Sequence, residues 1–150
     1  MTAPRDILDQ VRDQIKETRK FFKMSLPPMT HGSMTGYLQK VDLLISDITN
    51  LMFQVQLILG DTRSKAARLN KQLAIDAWDQ YGKSRYYAEA EVNGDNTLTD
   101  LKHSISRMEA GLSLLDTHGW LVRNIRQSSL TLLRKPRIDL ACPTGGDFIR

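Results

Sequence analysis

The sequence predicts an all-α protein, and three features carry that prediction. Two long runs of apolar residues advance alternately by three and four, one strong turn separates them, and no stretch alternates apolar with polar residues as a strand would. The economical architecture is a long antiparallel helical hairpin with an additional N-terminal helix packed against it, its surplus apolar stripes joining copies into an oligomeric helical bundle or ring. At 150 residues the chain fits a single domain. A chain of that length buries roughly 70% of its unfolded surface, so no disulfide or structural metal is required.

The first element is predicted over residues 3–24, within an N-terminal segment 1–25, because Ile7, Val11, Ile15 and Phe22 recur at helical spacing beside Leu8. Thr2 is placed to cap it, with Pro4 and Asp6 in the first turn. "SLPPMTHGSMTG" follows, and its prolines and glycines remove backbone donors and loosen the chain, so residues 26–36 read as a linker or extended arm. The hairpin is assigned to residues 37–135. Its first limb opens on Leu38, Val41, Ile45, Ile48, Met52, Val55 and Leu59, a heptad seam that Leu44, Leu51 and Ile58 widen on one flank. Gly60-Asp61 marks a break or bend. A weaker stripe through Ala66, Leu69, Leu73 and Ala77 extends helix to about residue 91, loosened at Gly82.

The turn is "VNGDNTLTD", whose Asn-Gly and Asp-Asn pairs suit left-handed backbone and whose Thr97 or Thr99 can cap the next helix. The second limb repeats the seam through Leu98, Leu101, Ile105, Met108, Leu112 and Leu115 to Val122, and helix is expected until Lys135 precedes Pro136. Residues 136–150 are too poor in apolar residues for another domain and read as an extended tail. The stripes carry more apolar positions than one hairpin partner can cover, so Leu112, Leu115 and Val122 are the candidate oligomerisation residues.

Nothing in the sequence carries catalytic chemistry. His31, His103 and His118 have no carboxylate or cysteine at the spacing of a zinc or di-iron site, and there is no phosphate loop, dinucleotide fingerprint or nucleophile elbow. The expectation is therefore no enzyme, no metal and no cofactor. A lone Cys142 and the lack of a signal-peptide core or an apolar run near the roughly 20 residues of a membrane span point to a soluble protein in a reducing cytoplasm, with no membrane partner.

Charge is where the sequence suggests a partner. The net charge is +4, unevenly spread. Arg63, Lys65, Arg68, Lys71, Lys83 and Arg85 face only Asp76 and Asp79 in the same stretch, and Arg123, Arg126, Arg134, Lys135 and Arg137 lie in a segment without an acid. In "WDQYGKSRYY", Trp78 reads as a ring closing the hairpin core near its turn. Adjacent Tyr86 and Tyr87 point about 100° apart on a helix, so at least one must be exposed. Exposed rings beside basic groups serve single-stranded nucleic acid, where bases stack on the rings and cations follow the backbone. The candidate DNA-binding residues are thus Arg63, Lys65, Arg68, Lys71, Lys83, Arg85, Tyr86, Tyr87, Arg123 and Arg126.

The passage "AGLSLLDTHGWLVRNIRQ", residues 110–127, resembles the C-terminal helix of the phage recombination mediator proteins related to UvsY. The resemblance rests on Gly119-Trp120-Leu121-Val122-Arg123-Asn124-Ile125, and "RSKAARLNKQLAIDAWDQYGKSRYY" is similar in character to the family's basic helix; together they span roughly residues 60–130. It implies a ring-like homo-oligomer that loads a RecA-like recombinase onto single-stranded DNA covered by single-strand-binding protein, without nucleotide hydrolysis, in a host cytoplasm if the chain is phage-encoded. The alternative is a non-enzymatic phage structural or adaptor protein, a helical virion component or chaperone, acting through protein–protein contacts.

Overall fold

The structure is a computed structural model that describes residues 4–24, 31–82 and 85–141. Four helices make it up: α1 (Pro4–Met24), α2 (His31–Tyr81), α3 (Arg85–Asn93) and α4 (Asn96–Ala141). No strand occurs among the described residues. The predicted all-α class is what the chain adopts.

By contacts the chain divides into two compact units. One joins the residues up to Asp13 with Asn50–Asp116, and the other joins Gln14–Thr49 with the residues from Thr117 onward. In the first unit, Ile7 and Val11 of α1 are buried with Leu51, Val55 and Leu59 of α2 and Met108 and Leu115 of α4. Farther along, Ala66, Ala77, Ala88, Val92 and Leu98 form a cluster of small and medium side chains, sealed by Leu69, Leu73, Leu101 and Ile105. Small residues at this end let the short α3 sit close to its neighbours. In the second unit the buried positions are Ile15 and Thr18 of α1, Met34, Tyr37, Val41 and Ile48 of α2, and Val122 and Ser129 of α4. There, Gly119 of α4 faces Ile48 of α2, whose Cγ2 lies 3.4 Å from where a Cβ would stand. Phe21 stacks on Tyr37 at 5.7 Å with an interplanar angle of 24°.

Five local expectations are corrected. The linker ends earlier than residue 36, because His31–Tyr37 already belongs to α2 and Met34 and Tyr37 are buried. Their three- and four-residue spacing to Val41 extends the seam, and burial of two large side chains outweighs the roughly 1 kcal/mol by which an interior glycine such as Gly36 disfavours helix. The prolines themselves, Pro27 and Pro28, lie outside the described residues. α2 continues through Gly60, which excludes the break and leaves the bend of the two alternatives there. Gly82 does end it: its φ of +63° is left-handed, so the helix predicted to reach residue 91 stops at Tyr81 and restarts as α3.

The turn before α4 uses a different cap and a different backbone from those expected. Asp95, not Thr97 or Thr99, is the N-cap, its Oδ1 accepting a hydrogen bond from Leu98 N at 2.8 Å. Gly94 is not left-handed. Its N–H donates to Ala90 O at 2.9 Å, and a Cβ there would come within 3.2 Å of that oxygen. Close approach, and not positive φ, is what requires glycine. Finally, α4 runs through Pro136 to Ala141, so the helix outlasts the residue expected to stop it. Residues 142–150, with Cys142, lie outside the described residues.

α2 also contains an 18-residue window of mean hydropathy 1.4, of which 22% is buried. By length and composition it is apolar enough to cross a membrane, contrary to the reading that no run approaches a span. Counting only the seam residues hid this, because Leu43, Phe53 and Leu57 lie off the seam and are exposed.

Candidate nucleic-acid interface

The sequence-predicted residues fall into both units. In the first, α2 carries Arg63, Lys65, Arg68 and Lys71, and α3 carries Arg85, Tyr86 and Tyr87. Lys83 lies outside the described residues. Three of these cations already have acids. Arg63 Nη2 meets Glu109 Oε1 at 2.5 Å, Lys65 Nζ meets Asp61 Oδ2 at 3.1 Å, and Arg85 Nε meets Glu89 Oε1 at 2.6 Å. All three pairs are exposed, and such pairs contribute about 0–1 kcal/mol, so a phosphate can take the acid's place at little cost. Arg68 and Lys71 make no ion pair among the described residues.

The rings are more exposed than expected. Tyr86 retains 77% and Tyr87 59% of its surface, and the two meet edge to face with centroids 5.5 Å apart. Trp78 does not close the core; it is 49% exposed. It lines a groove of about 440 Å³ between the end of α2 and α3, with Asn70, Ala74, Arg85, Glu89 and Asn93 around it. The small Ala77 and Ala88 fill the core beside this groove, so the indole is not needed there. Sequence reasoning passed over Ile75, which is 48% exposed. Its signal was available: Arg68, Lys71, Ile75 and Trp78 are spaced by three and four and therefore share one face of α2.

In the second unit, Arg123 Nη2 donates to Thr49 Oγ1 at 3.5 Å, and Arg126 pairs with Asp42. Both contacts reach from α4 to α2. Trp120 and Leu121 of the Gly-Trp-Leu-Val-Arg motif are 61% and 44% exposed, whereas its Val122 is fully buried. His118 sits nearby, its pKa lowered by burial and by the Arg19 guanidinium.

Two of the three oligomerisation candidates need correcting. Leu115 and Val122 have no accessible surface within the single chain, and Leu112 is half-buried. Leu115 and Val122 are core. The large apolar side chains that the chain leaves exposed include Phe53, Leu57, Leu114 and Leu121. No family model, no curated protein and no solved structure matches the chain.

Proposed function

We propose that the protein is a non-catalytic binding protein for single-stranded DNA that acts as a recombination mediator, helping a RecA-like recombinase onto strands covered by single-strand-binding protein. On this reading the long helices form a hairpin, copies associate, and the protein works in the cytoplasm without a cofactor or a membrane. The observation that carries it is the exposed Tyr86–Tyr87 pair on α3, next to Arg85 and on the same unit as Arg63, both of whose acid partners are exposed enough for a phosphate to displace. Tyr86 keeps most of its ring in water, where a stacked base would cover it.

The test is anisotropy of a labelled oligonucleotide across a salt series. Each phosphate neutralised contributes about −0.7 to the slope of log affinity against log salt for a single strand. Arg63→Ala with Arg85→Ala should flatten that slope. Tyr86→Ala and Tyr87→Ala should each weaken binding by roughly 1–3 kcal/mol, with the slope little changed and no base preference. Unchanged affinity in both tyrosine variants, with the fold intact, overturns the reading. Arg123→Ala with Arg126→Ala asks the same of the second unit.

One observation favours the structural or adaptor alternative: Leu43, Phe53, Leu57, Trp120 and Leu121 expose large apolar surface, which marks protein contacts more than phosphate contacts. Purification with one protein partner or in particles, without affinity for DNA, would establish it.

A further inference from the structure

α2 carries a second seam on the side away from its core. Starting at Phe53 and stepping alternately by four and three, the chain reaches Trp78, and every position on the way is exposed. Phe53 and Leu57 are large, Gly60, Ser64 and Ala67 in the middle are small, and Trp78 closes the far end. No acid falls on it. A seam of this period fits another helix in a left-handed supercoil, and among the described residues only its far end, Ala74 and Trp78, borders another helix, across the groove to α3. Gly60 adds a separate point: a Cβ there would meet nothing within 4 Å and its φ is not positive, so the chain's own fold gives no reason for a glycine.

We infer that a second copy of this chain covers the Phe53–Trp78 face, the two α2 helices running antiparallel about a two-fold axis between Ser64 and Ala67. The run is self-complementary in that register. Phe53 meets the partner's Trp78, Leu57 meets the partner's Ala74, Gly60 leaves room for the stem of the partner's Lys71, and Ser64 meets the partner's Ala67. Leu57 and Lys71 each face a small residue, the middle layers are small on small, and two rings close each end. Charge agrees: Asp61 and Arg68 flank the seam on the same edge, and antiparallel pairing sets each opposite the other's counterpart, so the partner's Asp61, which Lys65 holds in its own chain, can share its carboxylate with Arg68, which makes no ion pair among the described residues. The inference rests on the self-association in the proposed function and supplies its surface. It assigns Lys71 and Trp78 to the partner copy and leaves Tyr86 and Tyr87 to a strand.

The experiment compares the full chain with Leu57→Asp by sedimentation at micromolar concentration, with circular dichroism as the fold control. Leu57 is 59% exposed, so the variant keeps its helicity, and the expected result is loss of the dimer. In a Cys142→Ser background, chains carrying Ser64→Cys and chains carrying Ala67→Cys should form a disulfide when mixed and oxidised, well above either alone. A monomeric wild type overturns both the seam and the self-association reading. A wild-type oligomer that Leu57→Asp leaves intact, with no disulfide in the mixture, overturns the seam alone. A monomer that floats with phosphatidylcholine vesicles, and ceases to with Leu57→Asp, overturns it in favour of lipid on the same face.

Discussion

At Leu115 no part of the side chain reaches solvent. Truncation to alanine removes buried methyl groups and leaves a cavity, so Leu115→Ala should lower unfolding free energy by about 2–5 kcal/mol in a urea titration. Leu115→Asp should abolish the helical signal. His118 makes a prediction in pH. Its folded pKa lies below the unfolded value near 6.5, so the unfolded chain binds the proton more tightly. Stability is then full above about pH 6.5 and declines as the pH falls through that value; His118→Gln should remove this part of the decline in thermal melts at stepped pH. Val41, Ile48, Val55 and Met108 could be read as buried because a seam position is a property of spacing. Trp78 could not. Its exposure depends on the two alanines, Ala77 and Ala88, that fill the core instead, and Ala88 comes from an element the sequence appeared to fuse with α2.

Helix ends decide how far each element was legible. Asp95 holds the Leu98 amide at the start of α4, so Asp95→Ala should destabilise by about 1 kcal/mol, whereas Thr97→Ala, at an exposed position, should do little. Gly82→Ala forces a Cβ into left-handed backbone with nothing nearby to offset it and should cost about 1–2 kcal/mol; Gly82→Asn should cost less. Differential scanning calorimetry of these variants checks both statements. The sequence offered several capping residues within a few positions, and propensity ranks them almost equally. Only the path of the chain out of α3 selects Asp95. Likewise the start of α2 was hidden by glycine and proline, whose local preferences are weaker than the burial of Met34 and Tyr37.

Over the whole molecule, all five ion pairs among the described residues are solvated, with side chains between 39% and 84% exposed. Charge therefore contributes little to folding, and the melting temperature should change by only a few degrees between low and high salt. Binding to a polyanion should fall steeply over the same range, which separates the two roles of charge in one titration. Fold class was legible because heptad spacing is local and repeats. Partners were less so, since the spacing that marks Tyr86 as exposed carries no record of a partner's chemistry. Two buried hydroxyls have a consequence of their own. Thr18 Oγ1 donates to Gln14 O at 2.9 Å and Thr62 Oγ1 to Ile58 O at 2.8 Å, each closing on its own helix. Such groups are blind to alignment: they would be just as content if the neighbouring helix slid by seven residues, and a repeating apolar seam would scarcely object. The glycines break that degeneracy. Gly111 seats Leu8 and Val11 in one unit and Gly119 seats Ile48 in the other, so these two notches act like the teeth of a ratchet, and filling one with leucine should let the helices settle in a shifted alignment without melting them.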